Sequence, residues 1–547
     1  MRRFFLLLVI VVLNNSFTIA QQKISETEKI VSLGKIYGFL KYYHPEVGKG
    51  NFDWDKEFIK QLPRVINAKN KDVLSEIYCS WIDSLGAVRE CKKGDKGEEY
   101  FDKNFDLSWL HNDSIFNEKL IEKLKYIEKN RFKGKNYYVT SELNGKIKVT
   151  NEPIYENIEF PSEDYRLLGL VKYWNIIEYF YPYKYLTDQN WNSVLAEMIP
   201  KFRNVSNVKD YQNTIRELIV KLDDGHAWVN FSDKWPLYLP VKVTSINNRI
   251  VISEYFNDSL ANQNNLKIGD VVLKVNQIDI ENIINEKMNY VSGSNKNQKR
   301  INACNAILRG ESDSVTLTIE RAGKVYDVNA SRYNFKKFKY YKNRKVIKSR
   351  EIHSDIGYLN MDFIEENDVA KVFKLFKAKK AIIIDLRNYP NFIYRSVSKQ
   401  INSENRIFSK YYSPEITYPG RFKYSYLRTG SKNKKSYKGK VILLVNEKSV
   451  SRSEFTAMAF QTADNVITVG SQTAGADGDV VKFNYMGGYK TAITGNGVLY
   501  PKGEETQRVG VKVDVEVKPT IEGLREGRDE VLEKAIQLAK ENINLSL

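Results

Sequence analysis

Cysteine and histidine are scarce in this sequence, and long apolar runs are almost missing. Cys79, Cys91 and Cys304 are the only cysteines in 547 residues, and so small an odd count excludes a disulfide framework. Cys79 and Cys91 could pair, or the thiols could be free and buried. The four histidines are His44, His111, His226 and His353, so imidazole chemistry has few positions to rest on. Beyond the first twenty residues no segment approaches the roughly 20 consecutive apolar residues that span a bilayer. No integral membrane segment is expected in the mature chain.

The one apolar run is N-terminal. Arg2 and Arg3 precede Phe4 to Leu13, and small residues end at Ala20. A charged start, a short apolar core and small residues before a polar Gln21 read as a signal peptide over 1–20, with an uncleaved anchor the alternative. No cysteine near Ala20 offers a lipid attachment point. The expected location is periplasmic or secreted, with room for peripheral contact with a membrane. The formal charge is +18, but Lys and Arg are spread among Asp and Glu as on solvated faces. Lys435, Lys438, Lys440 and the run from Lys336 to Lys345 are local exceptions that could touch anionic surfaces. An exported protein gives no reason to expect a nucleic-acid partner.

At about 150 residues per domain the chain predicts three or four domains, and 42% apolar with 12% aromatic residues suffices for their cores. Tyr37 to Pro45 matches Trp174 to Pro182, Phe52 to Trp54 matches Gln189 to Trp191, and Leu62-Pro63 matches Ile199-Pro200, all at one offset of 137 positions. Aromatic and aliphatic residues at helical spacing make both copies helix, Pro-containing loop, helix. Two copies are a duplication and not a solenoid. The first copy with its polar connector spans 24–160, and the connector carries a helical stretch from Asn117 to Lys129. The second spans 161–236 and alone ends in Asp223-Asp-Gly-His226.

From 238 to 335 the pattern changes to β-branched runs at Val241–Val243, Ile250–Ile252, Val271–Val275 and Val315–Ile319. With the Gly269-Asp270 turn leading into a strand, this region resembles the PDZ family. From 350 to 547, strands at Ile356–Met361, Ala381–Asp385, Val441–Val445 and Val466–Val469 alternate with helices at Asp368–Ala378 and Ser453–Thr462. Arg525 to Glu541 reads as one closing amphipathic helix. The alternation is α/β, and the fold class of the whole chain is multidomain α+β.

Reactive groups in α/β folds sit at the carboxyl ends of strands. Ser451 is so placed, a short loop after the strand 441–445 and at the start of a helix whose amides could hold an oxyanion. Ser449, Ser451 and Ser453 also read as ordinary helix caps. His226 after Asp-Asp-Gly reads equally as a turn residue. Asp385 and Arg387 read as a structural pair.

The order of Asp224-Gly-His226, a PDZ-like domain, Asp385-Leu-Arg387, Ser449 to Glu454, Gly470 to Gly475 and Gly510 to Asp514 resembles the tail-specific, C-terminal processing serine peptidases over about 165–540. The resemblance implies a crotonase- or ClpP-like C-terminal protease domain with Ser451 as nucleophile and Ser453 as fallback. Ala476 occupies the position where many members carry a lysine base, so the resemblance narrows to the tricorn-like, Ser-His branch and implies His226 as base. Gln507 is implied as the residue orienting His226, with Glu505 the alternative. The backbone amides of Arg452 and Asn391 are implied for the oxyanion hole, although both glycines of the family's Pro-Gly-Gly turn are missing here.

The function so implied is hydrolysis of peptides or unfolded proteins by an exported serine endopeptidase without metal or cofactor. The PDZ-like domain would capture a substrate C-terminus by strand addition, and the helical duplication would pack, gate or make an oligomer contact. Two alternatives stay open. One is a binding or scaffold protein that kept the fold and lost the activity; the other uses a remote base such as Lys502.

Overall fold

The computed structural model describes residues 24–91, 99–156, 158–231, 236–339 and 346–541. The segment 1–20, expected to be a signal peptide, and part of the basic run 336–345 lie outside them. No helix among the described residues is long and apolar enough to cross a membrane.

The duplicated sequence folds twice into the same helices. Glu26–Tyr43 and Glu163–Phe180 are both 18 residues long, and Trp54–Ile66 and Trp191–Arg203 are both 13. Each pair starts 137 residues apart. The matched tryptophans do matched work: Trp54 Nε1 donates to the Tyr37 carbonyl and Trp191 Nε1 to the Trp174 carbonyl, each at 3.1 Å. Burying an indole requires such a partner for its N–H, which explains why both Trp and spacing recur.

The copies face each other across equivalent residues. A Cβ on Gly34 would touch Val171, its counterpart, and a Cβ on Gly38 would overlap Asn175, its counterpart. Small residues on one helix therefore admit large ones on the other, and Asn175 donates to the Gly34 carbonyl at 2.9 Å. The connector holds the expected helix, Glu118–Lys129. It also holds a hairpin of Val139–Ser141 with Ile147–Val149 that short polar strands did not reveal. Buried beside it, Lys41 and Lys172 pair with Glu152 and Asp55.

The PDZ-like region builds a sheet in which Val241–Ile246 is the edge strand, followed by Arg249–Tyr255, Val271–Val275, Ser314–Arg321 and Lys324–Ser331. Helix Lys296–Ile307 flanks that edge. Beyond it, Ile356–Asn360, Ala381–Asp385, Lys440–Val445, Val466–Gly470 and Val515–Glu516 are parallel and adjacent in that order, with antiparallel Ser349–His353 outside them. Both faces are covered, as a parallel sheet requires. Helices Glu366–Phe376, Tyr394–Ile401 and Arg452–Phe460 cover one face and Glu530–Lys540 the other.

The closing helix is two helices. Ile521–Glu526 ends at Gly527, in the left-handed region at φ 69°, and Asp529 caps a new start at Glu530. Amphipathic spacing runs through both pieces and hides the break. Cys79 and Cys304 are buried thiols, and no disulfide joins Cys79 to Cys91.

Candidate active site

The strand Lys440–Val445 ends in a loop that delivers three alternating serines. Ser449 Oγ donates to the Leu386 carbonyl at 2.8 Å, and Ser453 Oγ, fully buried, donates to the same oxygen. These two bonds pin the turn from both sides and commit Ser453 to structure, so it is not a reserve nucleophile. Ser451 between them borders a cleft of about 710 Å³.

Ser451 is the N-cap of helix Arg452–Phe460, so the capping reading holds as geometry. Its backbone is not that of an ordinary cap. At φ 56° and ψ −116° it occupies a region that favours glycine, and a side chain there costs of order 1–3 kcal/mol. The surroundings hold it in place. Its N–H donates to the Ala476 carbonyl at 2.9 Å and to Glu454 Oε2 at 3.1 Å. The Glu454 carboxylate also accepts the Gly475 and Ala476 amides at 2.7 and 2.9 Å, stapling the following loop to the serine.

Helix Val208–Val220 ends in the turn that carries His226, and strand Trp228–Asn230 then pairs with Tyr489–Thr494 of the C-terminal domain. That pairing brings Thr494 to the imidazole, 2.9 Å from Nδ1. Asp224 holds the same threonine: Oδ1 accepts its hydroxyl and Oδ2 its amide, each at 2.8 Å. Asp224 Oδ1 also accepts the His226 amide at 3.0 Å. Burial lowers the pKa of His226 below the usual 6.5, opposed by Asp224 and Asp479, which favours a neutral ring at neutral pH. Its Nε2 is buried with no hydrogen-bond partner.

Ala476 links the serine to the histidine turn. Its carbonyl takes the Ser451 N–H, and its Cβ packs on Gly225, where an added Cβ would lie 2.9 Å away. The position at which the resemblance implied a lysine base thus packs against the turn that carries His226. No hydrogen bond joins Ser451 to His226 among the described residues.

Three expected roles fall elsewhere. Glu505 accepts the Tyr185 hydroxyl at 2.7 Å and pairs with Lys103 at 3.3 Å, so it does not orient the imidazole. Gln507 is buried and donates to Ser294 Oγ at 3.2 Å. Ser294 Oγ in turn accepts the Gly225 amide at 2.7 Å, so Gln507 supports the turn without touching the ring. The Asn391 amide is spent on the Met361 carbonyl at 3.0 Å and is not an oxyanion donor. The Arg452 amide has no acceptor among the described residues; nor has that of Phe392, which lines the cleft. Lys502 is exposed in a surface turn beside Glu504. Arg387 does form the structural pair, with Asp385 at 2.6 Å, and adds Asp529 at 2.7 Å.

Sequence reasoning missed Thr494, Asp477 and Arg508. Asp477 lines the cleft, is nearly inaccessible, and leaves Oδ2 without a partner. Burial, with Glu454 nearby, raises its pKa well above the usual range. Arg508 donates to Asp188, to the Ser294 carbonyl and, through its amide, to the Gly475 carbonyl. It ties the second helical copy, the PDZ-like domain and the loop that bonds the Ser451 amide together. No local spacing announces any of the three; only the Asp-Gly-His motif pointed near them.

Residues 355–517 match the model of peptidase family S41, and residues 236–343 match a PDZ domain model. A search of curated proteins returns no match. Among solved structures, mature CPAF complexed with lactacystin is similar at a TM-score of 0.56 and 15% identity, over 69% of this chain and 98% of that one. Mature CPAF alone gives 0.55 and 15%, over 69% and 96%. These likenesses are of fold. The tricorn protease reaches a TM-score of 0.36 at 15% identity, over 76% of this chain and 42% of that one, which is too low to carry an argument about the branch.

Proposed function

Given a serine-type peptidase domain of family S41 joined to a PDZ domain, we propose that the chain is an exported endopeptidase acting on peptides or unfolded proteins through Ser451. His226 Nε2 takes the hydroxyl proton as Ser451 Oγ attacks the peptide carbonyl carbon. The C–N bond then breaks, and the imidazolium returns that proton to the leaving amine. Water, deprotonated by the same nitrogen, releases the acyl group and regenerates the serine. The Arg452 amide, with that of Phe392, faces the oxyanion.

The observations that carry this reading are a strained, cleft-lining serine and, on a turn packed against the Ser451 loop through Ala476, a histidine whose buried Nε2 is unused. A buried nitrogen without a partner costs about 1–3 kcal/mol, and a substrate-bound serine hydroxyl would satisfy it. Apo catalytic hydrogen bonds are often long and tighten in the complex. The edge strand Val241–Ile246, bordered by helix Lys296–Ile307, supports strand capture of a substrate by the PDZ domain.

The missing Ser451–His226 bond favours a second reading, an inactive scaffold. Hydrolysis of a reduced, alkylated protein separates the two. The peptidase reading expects cleavage by the wild type and none by Ser451→Ala; no cleavage by either leaves the scaffold.

A further inference from the structure

The connector hairpin lies between the helical copies in sequence, yet its turn sits on the catalytic cleft. Asn144 Nδ2 donates to Asp479 Oδ2 at 2.8 Å, and Lys146 Nζ donates to the Val480 carbonyl at 3.0 Å. Gly145, at φ 82°, packs so closely that a Cβ there would lie 2.6 Å from the Ser413 hydroxyl. These anchors make the turn a fixed wall. Its tip, Leu143, is fully exposed and borders the same cleft as Ser451. Tyr389 and Phe392, also exposed, border it too, at 48% and 64% accessibility. Exposed apolar side chains gathered on one cleft mark a surface that meets a ligand.

Three of the four charged groups in the cleft, Asp479, Arg452 and Arg395, are already engaged. Asp479 accepts from Asn144 and from the Tyr411 hydroxyl at 3.0 Å. The Arg452 guanidinium stacks over the Tyr389 ring at 4.9 Å and donates to the Pro390 carbonyl. Arg395 donates to the Tyr394 hydroxyl at 2.9 Å. The fourth, Asp477, leaves Oδ2 without a partner but is nearly inaccessible, so the exposed side chains left to meet a substrate are mainly apolar.

We propose that the hairpin tip is a specificity wall of the peptidase cleft, where Leu143, with Phe392 and Tyr389, selects an extended polypeptide bearing a bulky uncharged side chain near the scissile bond. The proposal rests on the Ser451 reading above. A pinned hairpin needs no closure to act, so the preference is set before substrate arrives and shows mainly in KM.

The test is a set of internally quenched peptides that differ at one residue, Phe, Leu, Ala, Asp or Lys, assayed with wild type, Leu143→Ala and Leu143→Asp. Labelling of Ser451 by a small fluorophosphonate, which does not depend on the hairpin, is followed in parallel. The wild type should prefer Phe or Leu over Asp by roughly 100-fold in kcat/KM, and Leu143→Ala should shrink that ratio about tenfold. Leu143→Asp should move the preference toward Lys. Labelling rates should be equal in all three proteins. Unchanged peptide preference in Leu143→Asp, with labelling intact, would overturn the hairpin assignment alone. Loss of labelling in the wild type would instead remove the Ser451 reading beneath it.

Discussion

Thr494 fixes which nitrogen of His226 carries the proton. Its hydroxyl has one hydrogen, and the Asp224 carboxylate oxygen 2.8 Å away can only accept it. His226 Nδ1, 2.9 Å from the same oxygen, must therefore be the donor. Nε2 is left with a bare lone pair, the form a general base needs.

Removing that hydroxyl should free the tautomer without opening the core. Thr494→Val is expected to lower kcat about 10- to 100-fold, equivalent to about 1.4–2.8 kcal/mol, with KM little changed. Thr494→Ser should restore most of the rate. Steady-state kinetics on one peptide checks both, and equal loss in Val and Ser would reduce Thr494 to a packing residue.

The pH profile follows from the burial of His226. The neutral ring is the active form, so activity is present above its folded pKa and lost as pH falls through it. Because burial lowers that pKa from 6.5, the acid limb of kcat/KM should lie below about 6.5. Stability should fall in the same direction: below about 6.5 the unfolded chain binds a proton that the folded imidazole resists. A limb well above 6.5 would contradict the assigned environment.

Backbone strain at Ser451 makes a prediction about stability alone. Glycine adopts its φ and ψ without penalty, while alanine keeps the Cβ. Ser451→Gly should be more stable than Ser451→Ala by about 1 kcal/mol, and neither should hydrolyse peptide. Urea denaturation of the two variants gives the difference directly.

Asp477 should destabilise the wild type near neutral pH. Its folded pKa is raised by burial, with Glu454 and Asp479 adding to the shift. The unfolded chain therefore loses the proton first, and the cost grows as pH rises from about 4 toward the folded pKa. Asp477→Asn keeps the shape and removes the titration. A thermal scan should show its advantage over the wild type widening from pH 4 to pH 7; a constant difference would refute the ionisation argument.

Regular elements were legible because their causes are local. The 137-residue offset held helix for helix, since each Trp must reach the same carbonyl in both copies. Ala381–Asp385 and Val271–Val275 appeared with the expected bounds because buried strands are short, unbroken apolar runs. The surroundings of the site were less legible. Thr494 lies 268 positions from His226 and reaches it only through the pairing of Trp228–Asn230 with Tyr489–Thr494. Gln507 was expected on the imidazole and instead reaches Ser294, which holds the Gly225 backbone and not the ring. The hairpin that carries Leu143 consists of two three-residue strands in a polar connector, too short for alternation to register.

The pairing of Ser451 with His226 is tested most directly by covalent labelling with a fluorophosphonate and mass mapping of the modified peptide. A single adduct on Ser451, absent in Ser451→Ala and forming at least 100-fold more slowly in His226→Ala, is the predicted result. Labelling of Ser451 at an undiminished rate in His226→Ala would contradict the account, because the serine would then draw its base from elsewhere.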